Sequence, residues 1–177
     1  MPMTVYCDMT TDDGGWTQLY DQDITVGPGY LPTDVWTAGV NQGAPNMGQY
    51  SILNLIDDFE GASAGFEFLI DWPSDGSDFV TWEQSVNPFD VMDQDPRGTV
   101  TNVIQSPAGQ LGCTAFEGLG ADGNGSSTLD GTTSNCWFWA IGTSGPYKDG
   151  IPAYADHDAS GPGIDPLVAT RARLWVR

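Results

Sequence analysis

Turn-forming residues are spread along the whole of this chain, and they limit what it can fold into. The 177 residues include 23 glycines and 12 prolines, and Ser, Thr, Asn and Asp are abundant among the remainder. Long helical periodicity of apolar residues is missing. This combination favours a loop-rich β or α+β fold over a helical bundle. The length fits one domain, residues 1–177, with a sizeable core.

Short apolar segments between the turns predict a hairpin, a helix and several strands. Residues 3–20 predict a β-hairpin, because 12–15 is strong turn chemistry flanked by aromatic and β-branched residues. Apolar residues at helical spacing predict a short helix within 50–59. Alternation or continuous apolarity predicts strands over residues 65–72, 78–84, 135–142 and 172–176. Little regular structure is expected in 21–47, 85–135 and 143–167.

The charge balance restricts the classes of partner. The formal net charge is −19, from 24 acidic residues against only 5 Lys and Arg. Nucleic acid and anionic membrane surfaces both require basic residues, so neither is an expected partner. No apolar run is long enough to span a bilayer, and we expect no membrane insertion. The acidity either serves solubility or includes carboxylates that hold a hard cation such as Ca²⁺.

The opening of the chain carries a family resemblance. Residues 5–17, VYCDMTTDDGGWT, resemble the opening signature of fibrinogen C-terminal-like domains, which include ficolin-type and intelectin-type lectins. Later segments resemble a divergent branch of that family in the expected order: 81–89, 129–131, 136–142, 150–152 and 174–176. The resemblance implies an α+β domain with a twisted antiparallel sheet, one or two short helices and long irregular loops. It also implies an extracellular module, secreted or at a cell surface, and we interpret the chain as part of a larger extracellular protein.

The cysteine count is odd, which suggests a missing partner in a secreted module. In the resembled family, the cysteine of the opening motif pairs with one upstream of it. The resemblance therefore implies a free Cys7 and a disulfide between Cys113 and Cys136. The alternative is three reduced, buried thiols in a cytosolic protein. Metal binding by the cysteines is not favoured, because no C-x-x-C spacing exists.

An acidic loop at 89–98 is the first candidate site. Fibrinogen-like domains carry a Ca²⁺ site built on Asp-x-Asp at about this point, and Asp93 and Asp95 match that pattern. Asp90 is a third possible ligand, and backbone carbonyls up to Gly98 can complete the coordination. The family pattern departs here, because Pro96 and Arg97 follow. The alternative is a solvated acidic turn.

The late loops are the second candidate site, for a sugar ligand. Aromatic rings stack on sugar rings while carboxylates and amides bind the hydroxyls. The candidate residues are Trp137, Tyr147, Tyr154, Asp156, His157 and Asp158. By resemblance they lie where related lectins hold acetyl groups or sugar hydroxyls. The alternatives are a core role for Trp137 and an exposed polar loop for 156–158.

These features predict a non-enzymatic module that recognises glycans or glycoproteins with the support of Ca²⁺. The alternative is a structural adhesion module of a large surface or fibrous protein that binds other extracellular proteins and no sugar. A glycosidase ranks third, because no feature selects one pair of carboxylates from so many. Phosphate-binding and dinucleotide-binding patterns are absent from the sequence.

Overall fold

The computed structural model describes residues 3–27, 31–61, 65–73, 79–92, 98–106, 116–122, 127–131, 140–142, 153–154 and 167–177, with backbone alone at 105–106, 153–154 and 167–168. Within these residues the main element is an antiparallel sheet. Its strands are β1 (Cys7–Asp8), β2 (Trp16–Asp23), β3 (Gln49–Ser51), β4 (Phe66–Asp71), β5 (Phe79–Gln84), β6 (Val100–Ser106) and β11 (Arg171–Val176). The small strands β7 (Gly120–Ala121), β8 (Leu129–Asp130), β9 (Ala153–Tyr154) and β10 (Leu167–Val168) pair outside it.

The strand order of the main sheet is β1-β2-β11-β4-β5-β6. The last strand in sequence therefore lies in the middle, where β11 pairs with β2 on one side and β4 on the other. Because β11 covers one edge of β2 over Thr17 to Asp23, strands β1 and β3 share the opposite edge. The hairpin predicted for residues 3–20 is confirmed as β1 and β2. The strands predicted at 65–72, 78–84 and 172–176 are confirmed as β4, β5 and β11.

One face of the sheet carries the main core. Alternation sends Leu174 and Val176 of β11 to this face, where both are fully buried. They meet large aromatic side chains from other elements, including Tyr20, Trp36 and Trp82. Fully burying a valine or leucine side chain stabilises a fold by about 1.5–3 kcal/mol. The face therefore supplies most of the apolar stabilisation.

The opposite face holds a smaller cluster in which arginines cover tryptophans. Trp16, Leu69 and Trp175 are buried there. The guanidinium of Arg177 lies 4.2 Å from the centroid of the Trp16 ring, and that of Arg173 lies 4.8 Å from the Trp175 ring. Both distances are within the range of a cation–π contact. Buried aromatics on this face are thus covered by side chains of the same sheet.

Helical structure is short. The only α-helix of the described residues is α1 (Thr33–Ala38), and it holds Trp36 in the core. It corrects the expectation of little regular structure in 21–47. The helix predicted within 50–59 forms as a 3₁₀ helix over Leu53–Phe59, with Leu53 and Ile56 buried. None of the helices in the described residues is long and apolar enough to cross a membrane.

Strand β6 corrects a second expectation, since residues 85–135 were expected to be irregular. It pairs with β5 from Phe79↔Ser106 to Gln84↔Val100, and the register shifts between Thr81 and Glu83. The α+β prediction is confirmed as a mostly antiparallel sheet with few, short helices. The likeness to a fibrinogen C-terminal-like domain stays a prediction.

Candidate functional site

The predicted calcium loop is described at its two ends. Asp90 is exposed at the end of the 3₁₀ helix Pro88–Asp90, and Gly98 marks the return of the chain toward β6. Asp93 and Asp95 lie outside the described residues. Among the residues that the structure does describe, no group of three His, Cys, Asp or Glu side chains is placed to hold a metal ion. The calcium ligands therefore remain predicted from the sequence.

The first end of this loop is fixed by Asn87. Its side-chain oxygen accepts a hydrogen bond of 2.9 Å from the backbone N–H of Phe89, which caps the 3₁₀ helix. Its amide nitrogen donates to Oδ1 of Asp57 at 2.6 Å. Asn87 thus joins the start of the loop to the 3₁₀ helix Leu53–Phe59.

The second end is fixed at Ser85, the residue directly after β5. The backbone N–H of Thr99 donates to Oγ of Ser85 at 2.8 Å, and the backbone N–H of Ser85 donates to the Thr99 carbonyl at 3.0 Å. Gly98 has a φ of +72°, and a Cβ there would lie 2.4 Å from the Ser85 oxygen. A glycine is needed at 98 for packing alone, whatever its carbonyl binds.

A series of backbone pairings connects this loop with the predicted sugar pocket. Met92 pairs with Ala121, and Leu129 pairs with Ile141. Ala121 and Leu129 are themselves partners in β7 and β8. Three strand spacings of about 4.8 Å place Met92 roughly 14 Å from Ile141. Ile141 is the next-to-last residue of the segment 136–142, which also contains Trp137.

Most of the predicted ligand residues lie outside the described part of the chain: Trp137, Tyr147, Asp156, His157 and Asp158. Tyr154 is described by its backbone, which pairs with Leu167 in the antiparallel pair of β9 and β10. Both members of the predicted disulfide, Cys113 and Cys136, also lie outside. Cys7 is exposed and forms no disulfide within the described residues, and its predicted free state stays a prediction.

The segment 81–89, which carries part of the family resemblance, has a structural role at Gln84. Its amide nitrogen donates to the Leu119 carbonyl at 2.8 Å, and its oxygen accepts from the Leu119 N–H at 2.9 Å. The indole N–H of Trp82 donates to the same oxygen at 3.2 Å. Gln84 is buried, so these bonds satisfy an amide that would otherwise be costly to bury. It anchors the chain just before β7 to the main sheet.

The structure also contains an open groove that sequence reasoning missed. Its volume is about 400 Å³, within the range of small-molecule sites. It lies where β4 and β6 begin and where β5 and β11 end. The lining residues are Gly61, Gly65, Phe66, Glu67, Glu83, Gln84, Ser85, Thr99, Thr101 and Arg177. Ser85 and Thr99 also form the base of the predicted calcium loop, so the groove and the loop share a border.

Strand pairing assembles the groove. Glu67 of β4 lies directly opposite Glu83 of β5, and Thr101 of β6 lies opposite Glu83 on its other side. Alternation within each strand could place these residues on one face, but the register that makes them neighbours has no signal in the sequence. A scan against protein-family models finds no match for this chain, and neither does a search of curated proteins.

Proposed function

We propose that this chain is a fibrinogen C-terminal-like module that recognises glycans with the support of Ca²⁺, without catalysis, at a cell surface or in extracellular matrix. The sugar pocket is proposed in the loops around Trp137, Tyr147, Tyr154 and residues 156–158. The calcium site is proposed at Asp90, Asp93 and Asp95. The observation that carries the proposal is the series of backbone pairings from Met92 to Ile141.

These pairings explain how a cation in one loop would support binding in another. Loop 93–97 runs between two ends that are already held, by Asn87 on one side and Ser85 on the other. A cation held by Asp93 and Asp95 would fix the loop between those ends. The pairings of Met92, Ala121 and Leu129 would then transmit that order to Ile141 and the segment of Trp137. A pocket that is ordered before its ligand arrives binds with a smaller loss of entropy.

The charge of the molecule also supports a bound cation. Each of the three arginines in the described residues already pairs with a carboxylate. The chain holds 24 acidic residues, so most carboxylates have no basic side chain available to them. A hard cation from solvent is the remaining source of positive charge, and carboxylates are its preferred ligands.

A glycan array run with Ca²⁺ and with EGTA tests the proposal. We expect binding in Ca²⁺, loss of binding in EGTA, and loss in the double variant Asp93→Ala/Asp95→Ala. Ca²⁺ at 100 times its dissociation constant should also stabilise the wild type by about 2.7 kcal/mol.

Mg²⁺ at equal ionic strength is the control, because an acidic surface gains from any divalent ion. Equal stabilisation by Mg²⁺, or equal stabilisation of the double variant, would contradict a specific calcium site. Glycan binding that persists in EGTA would support glycan recognition and contradict its dependence on Ca²⁺.

A second candidate is the structural adhesion module, and the exposed strand β6 favours it. Val103 and Ile104 are 39% and 49% exposed, and Val100–Ser106 contains no charged residue. β6 ends the strand order of the main sheet, and no strand of the described residues covers its outer edge. A strand of a second copy could pair there. An array without any binding, together with self-association that Ile104→Lys abolishes, would favour this candidate over the lectin.

A further inference from the structure

We propose that the groove between the ends of β5 and β11 is a separate subsite for a cationic amino sugar, with the ammonium group of the sugar at Glu83 and its hydroxyl groups at Ser85, Thr99 and Thr101. The subsite goes beyond the function proposed above. It uses none of the residues of that pocket and none of the calcium ligands.

Among the described residues, Arg177 is the only cation that lines the groove, and it is fully engaged within the protein. Nε and Nη2 of Arg177 donate to the two carboxylate oxygens of Glu67 at 2.8 and 2.7 Å. Nη1 donates to the backbone carbonyls of Asp12 and Gly14, and the second hydrogen of Nη2 is directed to Oδ2 of Asp12 at 3.4 Å, so all five donors have a partner. The guanidinium therefore has no donor left to recruit an anion, and it balances the charge of Glu67. An anionic ligand is not suited to this groove.

Once Arg177 is paired with Glu67, Glu83 is the remaining charged side chain among the described lining residues of the groove. Its oxygens accept hydrogen bonds from Oγ1 of Thr101 at 2.9 Å and from Nδ2 of Asn102 at 2.8 Å. These bonds lower the pKa of Glu83, and the bond from Asn102 has the larger effect. Burial opposes them and has the smallest effect of the three. No ion pair among the described residues includes Glu83. Each oxygen retains a lone pair for a further donor, so the carboxylate is oriented, charged and without a cation from the described part of the chain.

An irregularity in β6 holds Glu83 in this way. Consecutive strand residues point to opposite faces of a sheet, yet Thr101 and Asn102 both reach the same carboxylate. The register shift beside Glu83 and the left-handed backbone of Asn102, with a φ of +52°, make this possible. Bulges of this kind re-aim side chains and are common beside functional sites. The arrangement orients Glu83 before any ligand is bound.

The hydroxyl lining favours an amino sugar over a simple ammonium ion. Ser85, Thr99 and Thr101 lie beside Glu83 and are exposed. Oγ of Ser85 accepts from Thr99 and can still donate its own hydrogen to a ligand oxygen. One or two sugar rings fit the volume of about 400 Å³. An N-acetylated sugar has no charge for Glu83 and would bring an amide against a carboxylate.

NMR titration in EGTA tests the subsite without reference to the calcium site. The probe is the disaccharide of two β-1,4-linked glucosamines, at pH 6. We expect shifts of the amides of residues 83–85 and 99–101. We also expect at least a tenfold weaker affinity in Glu83→Gln, and an affinity within twofold of wild type in Glu117→Gln. Glu117 is exposed and does not line the groove, so this variant makes the same change of net charge elsewhere.

Three comparisons can overturn the proposal. Equal losses in Glu83→Gln and Glu117→Gln would show attraction to bulk negative charge. Equal binding of the N,N′-diacetylated disaccharide would remove the role of the ammonium. Equal binding of Nα-acetyl-lysine methylamide would mean that the groove takes a basic peptide and not a sugar.

A pH series on the wild type keeps the test valid should Glu83→Gln fold poorly. The sugar ammonium loses its charge as the pH rises, so affinity should fall at least tenfold between pH 6 and pH 9. An unchanged affinity over that range would overturn the proposal.

Discussion

At the scale of single residues, Asp8 shows how one carboxylate organises the turn before β2. Its Oδ1 accepts from the backbone N–H of Thr10 at 2.7 Å and of Thr11 at 3.2 Å. The hydroxyls of the same two threonines also donate to its carboxylate. Burial alone would raise the pKa of Asp8, but these four hydrogen bonds outweigh it and lower the pKa to about 2. The bonds favour the charged form.

We expect Asp8→Asn to lower the free energy of unfolding by about 1 kcal/mol at pH 7. A drop from 3.8 to about 2 sets a linkage limit near 2.5 kcal/mol, which solvent screening at this exposed turn reduces. Because the folded pKa lies below the unfolded value, the stabilisation is present above pH 4 and is lost as the pH falls through 2. Urea unfolding of both proteins at pH 7 and pH 2 checks this.

The exposed variant Asp58→Asn is the matched control, with an expected change below about 0.5 kcal/mol. A difference between wild type and Asp8→Asn that is as large at pH 2 as at pH 7 would contradict the linkage. The sequence could predict a turn at residues 12–15 from their turn-forming types, and Gly14 and Gly15 both have positive φ in the structure. It could not predict the part played by Asp8, whose hydrogen bonds depend on the exact course of the chain before β2.

At the scale of elements, two arginines of β11 and Arg177 directly after it hold the central strand to its neighbours. Nε of Arg171 donates to Oδ1 of Asp21 on β2 at 2.7 Å. Arg173 pairs with Asp71 on β4, and Arg177 pairs with Glu67, also on β4. The side chain of Asp21 is fully buried, whereas both side chains of the Arg177–Glu67 pair remain partly exposed. The cost of losing an arginine should therefore differ along the strand.

We expect Arg171→Ala to lower the free energy of unfolding by about 3–5 kcal/mol, since it leaves a buried carboxylate unpaired. Arg177→Ala should cost about 1–2 kcal/mol, mainly from its contact with Trp16. Burial raises the pKa of Asp21 against the hydrogen bond and charge of Arg171, and without Arg171 it should rise further.

The variant can then protonate Asp21 on folding, so its deficit should be smaller at pH 4 than at pH 7. Denaturant unfolding at both pH values measures it. A deficit of about 1 kcal/mol in Arg171→Ala, equal to that of Arg177→Ala, would show that burial of the pair has little energetic weight.

The elements differ in how far sequence could predict them. β4, β5 and β11 show clear alternation or apolarity and were predicted at nearly their observed bounds. β6 was missed because its register shift interrupts the alternation on which the prediction depends. α1 has only six residues, too few to establish a helical period. The groove depends on the pairing of Glu67 with Glu83, and the pattern within one strand carries no information on which strand becomes its neighbour.

At the scale of the whole molecule, the net charge of −19 lowers the free energy of unfolding, because the excess carboxylates repel one another. The arginine pairs of β11 are partly buried, and salt screens such pairs less than exposed charges. Most carboxylates have no basic partner, because the chain has 24 acidic residues and 5 Lys and Arg. Added salt should therefore weaken repulsion more than it weakens the pairs.

We expect the melting temperature to rise by about 2–6 °C between 0.01 M and 1 M NaCl, as the screening length falls from about 30 Å to 3 Å. Scanning calorimetry in EGTA checks this without a contribution from calcium. NaCl is preferred to sulfate, which stabilises proteins through exclusion from their surface. A melting temperature that falls with NaCl would mean that the arginine pairs outweigh the repulsion.

The central place of β11 has a consequence for how the protein is made. Residues 171–176 emerge from the ribosome after every other strand of the main sheet. Until then β2 with its neighbours and the group β4–β5–β6 have no strand between them to join. The contacts that unite the sheet span most of the chain, and such distant contacts form slowly. Until β11 has emerged, a nascent chain of this protein holds two half-sheets with open strand edges, and during that interval it most needs protection from aggregation.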